Sequence, residues 1–408
     1  MRSSGEKARA APHQLPRAVW LFGFTSLVND FASEMIYPLL PAFVTGVLGG
    51  GALALGILDG VADAVAALFK LVSGYLAERP RLRGPLVVAG YAIAAAIRPL
   101  IAVAGAAWHV IALRGTDRVG KGIRAAPRDT IISDLVPAEV RGRAFGLQRA
   151  ADHVGAILGP LTAAALIYGG MRVRSVFWIA AIPGLIAVLV AWLAVREAGG
   201  RSQVTGESEE APATTYHRPT ATPGFAPLVS VLVLATFLRA PETLLILRAQ
   251  DLGVPVALVP ILWAALHVVR SSTSYPGGAL ADRWGPRRTL AIGWIVYAAL
   301  ALAFAAATTT AQAWAIFLAF GVFVGLTESP ERKLVAELAP GGRRGRGFGW
   351  YHGSLSAVAL PGAALFGWIY QSRGAAPALE ASAVITVLAV LALPLSSSAS
   401  GPRPRSGG

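Results

Sequence analysis

Cysteine is missing from all 408 residues, which excludes disulfide staples, thiol catalysis and Cys-ligated metals while leaving the compartment open. Charge is scarce as well: 14% of residues are Asp, Glu, Lys or Arg, against about 25% in soluble domains. The 6 histidines form no cluster with metal-ligand spacing, and no Gly-x-Ser-x-Gly elbow occurs. Neither a metal, a cofactor nor an enzymatic centre is expected. No cleavable signal is expected either, because the first apolar run is too long for an h-region.

Apolar residues fill the space that charge leaves. They make up 55% of the chain, with mean hydropathy +0.58. Stretches near the 20 residues or so that cross a bilayer fall at 18–46, 52–78, 84–106, 108–136, 142–169, 174–196, 225–249, 255–281, 287–308, 311–338, 346–371 and 376–396. The expectation is an all-α membrane protein with twelve transmembrane helices.

The net charge of +14 invites a nucleic-acid reading, but its distribution argues otherwise. With the N-terminus inside, the cytoplasmic segments hold Arg2, Lys7, Arg9, Arg17, Arg79, Arg81, Arg83, Arg141, Arg143, Arg196, Arg201 and Arg218. They continue with Arg283, Arg287, Arg288, Arg343, Arg344, Arg346, Arg403 and Arg405. The outer loops hold Arg172, Arg174 and Arg373. This is the positive-inside asymmetry; it predicts a multi-pass protein with both termini cytoplasmic, partnered by the lipid bilayer and not by nucleic acid.

Residues 197–224 form the one long polar stretch, rich in Gly, Pro, Ser and Thr, and read as a flexible linker. The domains expected are a cytoplasmic tail 1–17, a six-helix bundle 18–196, the linker 197–224, a second six-helix bundle 225–396 and a tail 397–408. The two bundles share a pattern. PRDTIISDLVPAEVRGRAFG at 127–146 aligns without gaps to PERKLVAELAPGGRRGRGFG at 330–349, and GYLAER at 74–79 matches GALADR at 278–283. Parallel six-helix repeats are an architecture of secondary transporters, with the substrate held between them.

At these residues the chain resembles the major facilitator superfamily. SGYLAERPRLRG and GGALADRWGPRR are similar to the family's helix 2–3 and helix 8–9 signature. The second copy places Gly278, Asp282, Arg283, Arg287 and Arg288 at family spacing. In the first, Gly74 and Arg79 are kept but Glu78 replaces the Asp. The resemblance implies a gate at the cytoplasmic face: the acid pairs with the neighbouring Arg and with the positive N-terminus of a facing helix, and the glycine allows a close approach. In the fifth helix, Gly146, Gly155, Gly159 and Pro160 resemble the motif of proton-coupled antiporters in this superfamily, with Ala163 and Ala164 in place of its closing glycine pair.

One stretch imitates a nucleotide site. Gly115-Thr116-Asp117-Arg118-Val119-Gly120-Lys121-Gly122 is one residue short of a phosphate loop, because Gly122 stands where the magnesium-ligating Ser or Thr belongs. It also follows an Ala-rich apolar run instead of a strand, so nucleotide binding is not expected. On a helix, Arg114, Asp117, Arg118, Lys121, Arg124 and Arg128 fall within one stripe. Buried charges cost about 3 kcal/mol each on insertion scales, so the stripe must face the bundle interior. Arg114 resembles the family's fourth-helix Arg. Counter-charges are available in Asp30 and Glu34, one turn apart on the first helix, and in Asp152 on the fifth, which also carries Arg149 and His153 on the same face. The second half offers Arg239, Glu242, His267, Arg270, Glu328 and His352.

The resemblance implies a secondary transporter, most simply a monomeric proton-coupled exporter of a small molecule in a bacterial-type inner membrane. Its partners would be that solute and protons. Asp30, Glu34, Arg114, Asp117, Arg118, Lys121, Arg124 and Asp152 are the expected coupling and cavity residues. Two alternatives stand: uptake of an organic anion gripped by Arg114, Arg118 and Lys121, or a lipid-handling or sensor protein that moves no solute.

Overall fold

A computed structural model describes residues 15–137, 141–204, 224–338 and 344–394. They are helical almost throughout and hold no strand. The spans are α1 (Arg17–Ile36, carried on by short turns to Val47), α2 (Ala52–Ala77), α3 (Pro80–Leu100), α4 (Ala107–Asp134), α5 (Arg141–Tyr168) and α6 (Ala181–Val204, preceded by Val173–Ile179). After residue 223 come α7 (Phe225–Phe237 and Glu242–Asp251), α8 (Val259–Trp284), α9 (Pro286–Ala306), α10 (Thr310–Leu338), α11 (Arg344–Arg373) and α12 (Ala375–Ala392).

Among the described residues, 10 of these spans are long and apolar enough to cross a membrane. The two that fall short, α1 and α4, are the pair whose ionisable residues the sequence picks out. Their charge is tolerable only because it faces inward. By contrast α6 leaves Ile182, Leu185, Ile186, Leu189, Trp192 and Leu193 exposed, an apolar surface suited to lipid.

Where the helices stop follows local chemistry. The motif glycine Gly285 adopts φ +88°, a conformation that costs glycine little, and Pro286 then opens α9. In the first copy Pro80 opens α3 directly after an extended Arg79, so the two turns differ although their sequences are related. Span seven was expected to be continuous and is broken. Pro241 lacks an N–H and disfavours helix in the residue before it, so the chain bends over 238–241. The freed Ala240 N–H is taken by the Tyr297 hydroxyl at 2.8 Å. At the other end of the first half, α6 continues through Glu197 to Val204, so the start of the polar 197–224 segment is helical, with Ala198 buried. Residues 205–223, and the terminal residues 1–14 and 395–408, lie outside the described residues.

The helix ends define two faces of the bundle. The near end carries Arg17, Pro80, Asp134, Trp284 and Pro286; the far end carries Val47, Ala52, Tyr168, Val256 and Arg373. One apolar cluster unites residues of both halves, among them Leu39, Phe43, Leu55, Trp263, Phe304 and Phe366. A second belongs to the first half alone, built on Phe22, Val87 and Tyr91.

At the far end the halves are locked together. A Cβ on Gly56 of α2 would sit 2.2 Å from the Ala363 carbonyl of α11, and one on Gly367 would sit 2.7 Å from the Ala52 carbonyl. The Leu53 N–H donates to Gln371 Oε1 at 3.0 Å. Towards the near end α2 comes free: Gly74 has nothing within 4 Å, and Leu68, Leu71, Val72 and Tyr75 are exposed. Among the described residues the bundle is shut at the far end and splayed at the near one.

Candidate functional site

Between the halves lies a cavity of about 440 Å³, within the range of small-molecule sites. α1 contributes Glu34 and Tyr37, α2 Asp59 and Asp63, and α4 Arg114, Arg118 and Lys121. The bend in α7 supplies Arg239 and Glu242, and α8 supplies Trp263, His267 and Arg270. Five cations thus face four carboxylates across a space walled on both sides by apolar helices.

The charged stripe of α4 does two separate jobs. Arg114, Arg118 and Lys121 reach the cavity. Asp117 does not: it is buried at 2% exposure behind the wall. There it accepts from Arg98 Nε of α3 at 2.9 Å and lies 3.5 Å from Arg114 and 4.0 Å from Arg118. Arg124 turns the other way, donating to the Gly90 carbonyl at 3.1 Å, with its guanidinium 4.5 Å from the centre of the Tyr91 ring. Arg128 is within bonding distance of Asp129, Ser26 and Tyr91. These lower residues tie α4 to α3 and α1.

The glycines that imitate a phosphate loop are packing contacts. A Cβ at Gly120 would lie 2.6 Å from the Gly90 carbonyl, and one at Gly122 would lie 2.5 Å from Phe69 Cβ. Close approach of this kind is what small residues provide between membrane helices. Gly155 and Gly159 act likewise, since their Cβ atoms would fall 2.3 Å and 2.4 Å from the Leu27 and Phe31 carbonyls of α1. Pro160 is buried beside them and Gly146 is open.

Glu34 reaches across the interface and accepts from Trp263 Nε1 at 2.8 Å. Asp30 accepts from Asn29 Nδ2 at 2.9 Å, outside the cavity lining, and lies in electrostatic range of Asp152 on α5 and of Lys121. Among the described residues neither Asp30 nor Glu34 has a cation within ion-pair distance. In the second half, Arg270 donates to Glu242 and stands 5.8 Å from the Trp263 ring centre. His352 is among the residues whose side chains are not described.

The gate signature lies at the splayed end. Glu78 and Arg79 are exposed, and among the described residues Glu78 has no ion-pair partner. Asp282 pairs with Lys333 of its own half at 2.6 Å; Arg283 and Arg288 are exposed and Arg287 is half-buried. The expected close approach at the motif glycines is absent here: the nearest atom to a Cβ on Gly278 would be 3.9 Å away. It occurs one residue earlier, where a Cβ on Gly277 would collide with the Gly325 carbonyl. Among the described residues, neither Glu78 nor Asp282 has an ion pair with the opposite half.

Three ionisable positions at the cavity or behind its wall are not singled out from the sequence: Asp59 and Asp63, which line it, and Arg98, which pairs with Asp117. Asp59 and Asp63 stand one turn apart in GILDGVADAVA, the same arrangement as Asp30 and Glu34. An ionisable residue in an apolar span is a functional candidate by default, and that rule would have found all three.

The sequence profile described as the Major Facilitator Superfamily matches residues 22–270 and 228–407. An uncharacterised MFS-type transporter of Methanocaldococcus jannaschii is 29% identical over 380 residues, 90% of this chain and 92% of that one. An uncharacterised protein of Mycobacterium tuberculosis strain H37Rv is 32% identical over 373 residues, 87% of each. Among solved structures, the bacterial homologue of the human lysosomal transporter Spinster, inward-facing and occupied, superposes with TM-score 0.74 at 16% identity. That match covers 95% of this chain and 98% of the other, and it bears on the fold.

Proposed function

The chain belongs to the Major Facilitator Superfamily and is a membrane transporter, not an enzyme; from that premise we propose that it exports a small molecule in exchange for protons, by alternating access. The observation that carries the reading is the cavity itself. It lies between the halves, is sealed at one end, and brings Glu34, Asp59, Asp63 and Glu242 together with Arg114, Arg118, Lys121, Arg239 and Arg270. Carboxylates that face cations across a moving interface change partners as the halves rock. Desolvation and a neighbouring cation move a carboxylate's proton affinity in opposite senses, so a change of partner is a change of protonation. Export is supported by the Gly155 and Gly159 packing of α5 on α1, at positions that resemble the antiporter motif.

The proposed setting is a monomer in an inner membrane with both termini cytoplasmic, supported by the arginine asymmetry. The near end then faces the cytoplasm and the structure is open inward. The proposed halves are residues 18–196 and 225–396.

A second reading, uptake of an organic anion, draws on a specific feature. Arg114 Nε, Arg270 Nε and His267 Nε2, on residues that line the cavity, have no hydrogen-bond partner among the described residues, and cations outnumber carboxylates on the wall. One experiment separates the two. Purified protein in proteoliposomes is screened with organic anions, zwitterions and cations under an imposed pH gradient. Accumulation on the acidic side supports exchange with protons; accumulation of anions on the alkaline side supports uptake; no pH-driven movement of any solute refutes both.

A further inference from the structure

Asp59 sits at the contact between the halves, and each hydrogen-bond donor it meets among the described residues is neutral. The Tyr37 hydroxyl of α1 donates to Oδ1 at 3.2 Å. From across the interface the Thr243 N–H and hydroxyl donate to Oδ2 at 3.1 Å and 2.7 Å. Thr243 is the second residue of the helix Glu242–Asp251, whose N-cap, Pro241, supplies no side-chain cap. The first N–H groups of a helix need outside acceptors, and a negative charge there is favoured by the helix dipole. A carboxylate of the first half therefore caps a helix of the second.

We propose that Asp59 is a proton-binding latch: as a carboxylate it caps Glu242–Asp251 and holds the far end shut, and a proton bound there releases it. The inference rests on the proton-coupled reading above and names the group that couples proton binding to movement. Hydrogen bonds to a carboxylate are roughly twice as strong as neutral ones, and the attraction to the helix N-terminus disappears with the charge. The charged and titratable groups around it do not substitute. Glu242 of α7 and Asp63 of α2 are acids. Arg270 of α8 is committed to Glu242, with His267 beside it; Arg114 of α4 is held by Asp117, and Arg118 lies between Asp117 and Asp63. Among its described residues, α11 presents Leu360, Gly367 and alanines on this side. When the far end opens, the carboxyl loses Thr243 and meets the solution on that side, where it takes up a proton. When the cavity opens to the opposite side the proton leaves into it, and the cap reforms and holds the far end shut. Opening and closing carry one proton across.

The absence of native cysteine allows spin labels at Val47→Cys and Leu258→Cys, exposed positions on the two halves at the far end. Double electron–electron resonance in nanodiscs reads their separation from pH 8 to pH 5. Acidification should lengthen the distance in the otherwise native chain. Asp59→Asn should show the long distance already at pH 8 and no response to pH, whereas Glu380→Gln, at an exposed position of α12, should keep the response. Thr243→Val, which keeps the shape and removes one donor, should open at roughly tenfold lower proton concentration, since one bond to a charged group is lost; it serves if Asp59→Asn does not fold. An unchanged pH response in Asp59→Asn, or no response in the parent, overturns the latch. Loss of proton-driven transport in the parent with the Asp59-dependent response intact overturns the coupling reading alone and leaves the latch standing.

Discussion

Arg98 Nε donates to Asp117 Oδ1 at 2.9 Å across the α3–α4 contact, with the two side chains 5% and 2% exposed. Arg98 also donates to Asn29 of α1, to its carbonyl at 3.0 Å and its side-chain oxygen at 3.1 Å. One carboxylate thus holds three helices of the first half around it and fixes two of the cavity arginines from behind.

The first prediction follows. Asp117→Asn leaves buried guanidinium groups without their counter-charge, which costs about 3–5 kcal/mol when one partner of a buried pair is removed. Thermal unfolding in detergent should show a clear fall in midpoint. Asp63→Asn, at an exposed position in the cavity, should leave the midpoint near the parent value. Equal midpoints for the two variants would mean that Asp117 is not a structural hub.

The second prediction concerns the stretch that imitates a phosphate loop. Its glycines are spent on helix packing and its lysine on the cavity, so saturable, magnesium-dependent ATP binding should be absent, and unchanged in Lys121→Ala. Restoring the missing hydroxyl by Gly122→Ser should weaken folding instead of creating a site, because the Cβ would meet Phe69 at 2.5 Å. Equilibrium dialysis with labelled ATP and an unfolding curve read the two outcomes; micromolar ATP affinity would overturn the assignment.

What the sequence made legible, and what it did not, has a physical pattern. Helix number and the inward stripe of α4 follow from bilayer thickness and the cost of charge in hydrocarbon, both of which act along a single helix. The split of that stripe does not, because whether Asp117 meets the cavity or Arg98 depends on how α3 lies against α4. The cap that Asp59 gives to Thr243 joins positions far apart in sequence, and the bend that presents Thr243 depends on Pro241 and on a hydroxyl from α9. Single-helix periodicity carries none of this. The glycines of α2 illustrate the same limit: Gly56 and Gly74 look alike in sequence, yet one touches α11 and the other touches nothing.

That difference gives the third prediction. Gly56→Val should prise the far end open, since any Cβ there collides with the Ala363 carbonyl, whereas Gly74→Val should leave this state intact. A cysteine pair at Leu53→Cys and Gln371→Cys reports it: oxidative cross-linking should be efficient in the parent and in Gly74→Val, and should fall severalfold in Gly56→Val. Undiminished cross-linking in Gly56→Val would show that the contact yields without opening.

The fourth prediction tests orientation. Reporter fusions at Ser208 and Gly408 should behave as cytoplasmic and one near Gly170 as external. An external signal at Ser208 would break the arrangement of two six-helix halves with their join inside the cell.

The last prediction concerns Asp30 and Glu34, proposed as the pair that links protons to solute. They share a face of α1, one turn apart. In this state Glu34 is held by a neutral indole from the other half, and Arg118 and Lys121 line the same cavity without reaching ion-pair distance of it. The cations are therefore positioned to approach when the halves rock and the Trp263 bond breaks. A pair locked in fixed salt bridges has no such freedom, which is why Asp117, bound from three sides, is a poor candidate for the same role. Asp30→Asn and Glu34→Gln should each yield folded, inserted protein, since neither removes the partner of a buried cation. At least one should abolish proton-driven accumulation in proteoliposomes while sparing solute exchange or downhill flux, and it should do so with the pH response of the far end intact. Full proton-driven transport in both variants would make the pair structural and shift the coupling to Asp59 alone or to Asp152, the acid that α5 brings within electrostatic range of Asp30.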